Sequence, residues 1–315
     1  MAQHLQPASL KVLCALATYH YLTKPQMVQL GLAKSVASLD NHALVGLAPP
    51  RDSATGDEAI PRGKRANSYL CGTIRRGNRD PGERPGKQHY LYYLTQTGLD
   101  RLYWEYEEEF LNAPLGERIE DIWIPSPKDA LSNEFHHRRE YVSLHIAIRQ
   151  WAEANDATID FFTHDYQGDP KRPSVRGRPP SINLVTWDEA TGAQVKPDGI
   201  LGMTHKGVSR LYVVELHHRT PTKQIVDQLY RDFRAGPVIL QKTEYQTAFD
   251  PYVLSVHSDR ATLQGAQRLV AGHRNFSTVS DGLAFAWLPE IEADFSLSWF
   301  SGSLSARAQN VVCDV

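Results

Sequence analysis

What the chain lacks narrows its class first. Its 315 residues hold only three cysteines, Cys14, Cys71 and Cys313. They are scattered and odd in number, so they form neither a disulfide framework nor a metal-ligand spacing, which suits a reducing compartment. No apolar run approaches the roughly 20 residues needed to span a membrane, and the first residues do not show the zones of a signal peptide. The expected location is the cytoplasm, with no membrane role. No P-loop glycine pattern, dinucleotide fingerprint, HExxH or G-x-S-x-G motif occurs, and no internal repeat is evident. A formal net charge of −2 excludes no partner by itself.

What is present is the composition of an ordinary globular protein, 41% hydrophobic and 22% charged, at a length that accommodates two domains. Residues 9–21 repeat apolar side chains at helical spacing, with Leu10, Leu13, Cys14, Leu16, Ala17 and Tyr21 on one stripe. Thr23 is placed to cap a second helix, with Pro25 in its first turn and Gly31 at its end. A third helix is expected from about Ser35, burying Val36, Leu39, Ala43 and Leu47 and turning Lys34, Ser38, Asn41 and His42 outward. Two short helices joined by a Gly-containing turn form a helix-turn-helix. Strand-like runs at 68–74 and 89–94 follow, and Thr95 caps a further helix. The whole reads as a winged helix.

Charge is concentrated around the wing. Arg62, Lys64, Arg65, Arg75, Arg76, Arg79, Arg84 and Lys87 share one Gly/Pro-rich stretch, opposed there only by Asp80 and Glu83. Such a cluster is an electrostatic footprint for double-stranded DNA. In that reading the third helix enters the major groove and the wing contacts phosphates. The other reading is a protein-binding winged helix, which the basic wing disfavours.

A Pro-containing stretch within 113–131 reads as a linker, dividing a winged helix at 1–112 from an αβ domain at 132–295, with a flexible tail at 296–315. The second domain starts with a long helix near Ser132 that packs Phe135, Val142, Leu144, Ile146, Ile148 and Trp151 inward. Strands follow at 158–164 and 182–187, and then two adjacent apolar runs at 195–203 and 210–218. Their connection, with Lys206-Gly207 at its centre, is short enough for an antiparallel hairpin. Asp198 opens the first strand and Glu215 closes the second, so the two carboxylates meet at one end of the sheet. Their mutual repulsion and desolvation are relieved by a hard divalent cation such as Mg²⁺ or Mn²⁺. The plainer alternative makes Asp198 a turn residue of Pro-Asp-Gly and Glu215 a salt-bridged strand end. A helix at 222–235, a strand at 252–257, a helix at 259–271 and a strand at 283–288 complete the order.

Pro197-Asp198 followed by Glu215-Leu216-His217 resembles the Pro-Asp…(Asp/Glu)-X-Lys pattern of the PD-(D/E)XK nuclease superfamily. More narrowly, Lys196 to Gly199 and Glu215 to Thr220 with the following helix resemble the replication-relaxation family, which includes MobC-type plasmid mobilisation relaxases. The resemblance implies a restriction-endonuclease-like αβ domain over residues 132–290, with Asp198 and Glu215 as metal ligands. His217 stands where the nucleases keep lysine, as a ligand or general base. Glu140, or else Glu134, supplies the acid of the first helix, and Lys223 or Gln224 the missing positive or polar contact. The function implied is site-specific nicking or relaxation of DNA at an origin-type site, with a relaxosome or replication protein as partner and a homodimer compatible with it. The alternative is a non-catalytic DNA-binding accessory or replication regulator with a degenerate nuclease domain.

Overall fold

The computed structural model describes residues 7–32, 45–48, 91–106, 135–168, 180–218, 220–240, 251–273, 282–295 and 300–301. Contacts divide the chain into two units, Met1–Val142 and Ser143–Val315. The division falls inside a long helix, and the expected linker at 113–131 lies outside the described residues.

In the first unit, α1 (Pro7–Tyr19) buries Val12, Leu13, Leu16 and Ala17. The short α2 (Lys24–Gln29) starts on a capping box: the Thr23 N–H donates to Gln26 Oε1 at 2.8 Å, and the Gln26 N–H donates back to Thr23 Oγ1. It ends as expected at Gly31, whose φ of +72° is the left-handed geometry that favours glycine. Strands β1 (Val45–Ala48) and β2 (Leu91–Leu94) pair antiparallel, and Leu22 bridges to Tyr92. The expected third helix is thus corrected at its C-terminal end. Leu47 lies in a strand opposite Tyr92, and the neighbouring Gly46, a poor helix former, pairs with Tyr93.

Helix α3 (Gln96–Tyr106) begins where Thr95 Oγ1 accepts the Gly98 N–H at 3.1 Å. The long helix α4 (Phe135–Ala154) contributes its first turns to this unit. There Arg138 lies over the Tyr21 ring at 5.1 Å and donates to its hydroxyl at 3.1 Å. The expected DNA-contacting residues Lys34, Ser38, Asn41, His42, Arg62, Lys64, Arg65, Arg75, Arg76 and Arg79 all lie outside the described residues.

The second unit is built on a mixed sheet. Its strands are β3 (Thr158–His164), β6 (Gly199–His205), β7 (Val208–His217), β8 (Tyr252–His257), β9 (Leu283–Trp287) and the two-residue β10 (Phe300–Ser301), in the spatial order β10-β9-β8-β7-β6-β3. β4 (Val185–Asp188) and β5 (Ala193–Val195) form a separate antiparallel pair. The strand expected at 182–187 therefore begins later, because Asn183 is used as a buried hydrogen-bonding residue. Within the tail expected to be flexible, Phe300 and Ser301 pair with Phe285 and Ala284, and its other residues lie outside the described ones.

β6 and β7 form the expected hairpin, turning at Lys206 (φ 48°) and Gly207 (φ 78°). Two successive left-handed residues are the tight turn whose twist matches that of the flanking strands. β7, β8 and β9 run parallel. Parallel neighbours need crossover helices, supplied here by α5 (Thr222–Leu240) and α6 (Arg260–Ala271). α5 continues past the expected end at Ala235 and through Pro237, while Asp259 caps α6 through the Thr262 N–H at 2.8 Å. The two helices cover one sheet face, where Ile225, Leu229, Leu263 and Ala266 pack on Ile200, Leu211, Val213, Val253 and Phe285. A short α7 (Leu288–Ala293) follows β9. The second unit is α+β, and no helix among the described residues is long and apolar enough to cross a membrane.

Candidate functional site

The site begins with a kink in an apolar run. β5 ends at Val195, Lys196-Pro197-Asp198 breaks the strand, and β6 starts at Gly199. Proline cannot donate to a ladder, so a break is expected there. Asn183, fully buried, fixes the break by donating to the Pro197 carbonyl at 3.0 Å and accepting from the Thr163 hydroxyl at 2.6 Å. The Asp165 N–H donates to the Asp198 carbonyl at 2.8 Å, and Asp165 is itself paired with Lys196 at 2.8 Å.

Gly199 pairs with Val214 and Ile200 with Val213, a register that sets Asp198 opposite Glu215. Asp198 does not simply project from the sheet. Its Oδ2 accepts the Leu216 N–H at 2.7 Å, taking the place of a strand partner at the open end of the hairpin. Residues of equal parity share a face, and Ile200 and Val213 belong to the core under α5 and α6. Asp198, Glu215 and His217 therefore point toward the same helices.

Glu215 is 1% exposed and accepts from Gln228 Nε2 of α5 at 2.5 Å, through Oε2. Its other oxygen, Oε1, is buried with no hydrogen-bond donor among the described residues. Asp232, one helical turn beyond Gln228 and also 1% exposed, likewise buries Oδ2 without a donor. The Glu215 and Asp232 carboxyls lie within hydrogen-bonding reach of each other. Burial, then the charges of Asp232 and Asp198, hold the Glu215 carboxyl well above the usual carboxylate range. Burial, with Asp198 adding to it, pushes Asp232 up to about 7 against the opposing contributions of Glu215 and Arg231. The expected repulsion between converging acids is thus present, and it involves three carboxyls rather than two.

His217 is 2% exposed and its ring lies tilted, 4.8 Å from that of His257, its partner in the β7–β8 register. Ser255 Oγ and His257 Nε2 are 2.9 Å apart. Burial first, and His217 second, hold the His257 imidazole far below its ordinary value, so it is neutral. Lys223 is exposed in the first turn of α5 and makes no hydrogen bond or ion pair among the described residues. Glu140 belongs to the first unit, where it is buried and faces Arg139 at 3.6 Å.

The acids fit Mg²⁺ or Mn²⁺ by donor chemistry. They offer only oxygen, the ligand these hard cations prefer, and two of the oxygens are buried without a proton donor. Among the described residues no group of three or more His, Cys, Asp or Glu side chains is already arranged around one metal position. A small ion of this class is commonly held by one or two carboxylates and completed by water and phosphate oxygens.

Neither Asp232 nor Gln228, which reaches Glu215, was singled out from the sequence. A signal for Asp232 existed. It continues the buried stripe Ile225, Leu229, Asp232, Gly236, Ile239, where an acid has no reason to be unless something requires it. No protein-family model, curated protein or solved structure matches this chain.

Proposed function

We propose that this chain is a DNA-binding protein of replication or mobilisation that nicks or relaxes duplex DNA at an origin-type site with a divalent metal. The observation that carries the reading is the buried acidic end of the β6–β7 hairpin, where Asp198 and Glu215 stand opposite each other and Glu215 keeps a buried oxygen without a donor. A fold does not need a carboxyl in such a place, and the burial of Glu215 is unfavourable without a compensating charge.

In this reading Asp198 and Glu215 would hold Mg²⁺ or Mn²⁺, which supplies Lewis-acid polarisation of a phosphate oxygen and a lowered pKa for its bound water. Gln228 fixes the Glu215 carboxylate by its short hydrogen bond. The Leu216 N–H fixes the Asp198 carboxylate, and Asn183 holds the backbone that carries it. His217 is held against His257 and, where the nucleases keep lysine, serves as ligand or base. The arginine-rich segment at 75–79 anchors the duplex by its phosphates.

A second reading has a specific observation in its favour. His217 is buried against a neutral histidine, and Lys196 pairs with Asp165. A DNA-binding accessory or replication regulator that uses the nuclease-like unit as a scaffold fits that arrangement.

The two separate in a plasmid assay. The purified chain with Mn²⁺ is expected to relax supercoiled plasmid carrying its cognate origin, and Asp198→Ala to abolish relaxation while sparing duplex binding. Equal behaviour of wild type and Asp198→Ala, with cognate DNA and any partner protein supplied, contradicts the nuclease reading in favour of the scaffold.

A further inference from the structure

Two carboxyls in contact and out of water cannot both carry charge unless something positive lies between them. The choice is a proton or a cation. At the end of β7 the pair in contact is Glu215 and Asp232, and each keeps one buried oxygen, Oε1 and Oδ2, that no donor other than a proton shared by the two carboxyls reaches among the described residues. The donors that are present serve other atoms: Gln228 binds Glu215 Oε2, and the Leu216 N–H binds Asp198 Oδ2. Asp232 sits on the buried stripe of α5, four residues after Gln228, so the helix aims both side chains at the same carboxylate. A solvent-facing acid on this helix, Asp227, is exposed one position before Gln228 and belongs to a different face.

We infer that Asp232 is a ligand of a divalent cation site, which Glu215 Oε1 and Asp232 Oδ2 form between β7 and α5. This rests on the metal-site part of the proposed function and extends it from two acids on a hairpin to a third on the following helix. The two ligand atoms are carboxyl oxygens, so the ligand class is a hard divalent ion. The helix takes part as well as the sheet, so metal binding ties α5 to the open end of the hairpin.

The test is a calorimetric titration of the full chain with MnCl₂ near pH 7.5. Wild type is expected to bind Mn²⁺, Asp232→Asn to weaken binding at least tenfold, and the exposed control Asp227→Asn to leave it unchanged. Asparagine keeps the size and an acceptor oxygen while removing the charge. A cooperative thermal transition checks that the variant folds. If it does not fold, hydrogen exchange on wild type decides: Mn²⁺ should protect α5 around Asp232 along with the strand end, and protection confined to the β6–β7 hairpin overturns the inference. Wild-type affinity in folded Asp232→Asn also overturns it, as does failure of wild type to bind Mn²⁺ at all. Asp232-dependent binding without DNA relaxation leaves the inference standing and removes the nuclease reading. Relaxation that depends on Mn²⁺ and Asp198, with unaltered Mn²⁺ binding in Asp232→Asn, does the reverse.

Discussion

At the turn of the β6–β7 hairpin, Lys206 and Gly207 are exposed, and their left-handed geometry completes the chain reversal without further partners. At its open end the same two strands carry Asp198 and Glu215 against α5, supported by Asn183, Gln228 and the Leu216 N–H and joined by a buried Asp232. One end is fully explained by folding. The other holds more buried acid than folding explains, although a carboxylate at a strand end could have been solvated at little cost. The difference separates residues that build the hairpin from residues that the hairpin presents.

The largest expected effect lies at the acidic end and depends on pH. Asp232 has a folded-state pKa raised to about 7, so its contribution to stability is complete below the ordinary aspartate range and is lost as pH rises toward 7. Glu215 shifts in the same direction. In metal-free buffer Asp232→Asn should therefore gain on wild type between pH 4 and pH 7.5, by about 2–4 kcal/mol. Denaturant titrations at both pH values measure the difference. A gap that does not change with pH would mean that Asp232 is not held protonated. His257 acts in the opposite sense, since its depressed pKa removes stability as pH falls below about 6.5, and comparing wild type with the variant at each pH cancels that contribution.

Next in size is the support beneath Asp198. Asn183→Ala leaves the Pro197 carbonyl and the Thr163 hydroxyl without the partner they now have. A cost of about 1–3 kcal/mol is expected from the buried polar groups it orphans, with weaker Mn²⁺ binding as the Asp198 segment loosens. An unchanged midpoint in chemical denaturation would show that the kink holds without it. The smallest effect belongs to the turn: Gly207→Ala should cost about 1 kcal/mol through its positive φ and leave metal binding untouched. Loss of Mn²⁺ affinity in that variant would break the comparison.

Much of the second unit was legible because its signals are local. The Lys206-Gly207 turn, the apolar runs on either side and the two acids at their ends fixed the hairpin and the meeting of Asp198 with Glu215. The strands Thr158–His164 and Tyr252–His257 were bounded correctly for the same reason. Asp232 was hidden by its neighbours. Arg231 and Arg234 are exposed on either side of it, and a run of charges on an amphipathic helix reads as a solvent face unless the stripe position is counted. Asn183 gave no signal, since its partners, Thr163 and Pro197, lie on separate segments brought together only by the fold. In the first unit, Val45 to Ala48 misled because Leu47 continues a helical spacing while its pairing with β2 is non-local. Tertiary pairing there overrode local periodicity.

The central proposal is that the acidic end is incomplete without a cation. Thermal unfolding of wild type at pH 8, with a chelator and then with excess Mn²⁺, tests that directly, because a ligand that binds only the folded state raises the transition temperature by mass action. The expected result is a rise of several degrees with Mn²⁺ that is lost in Glu215→Gln. An identical transition with and without the ion would contradict the account and leave the three acids as a purely structural, proton-sharing cluster.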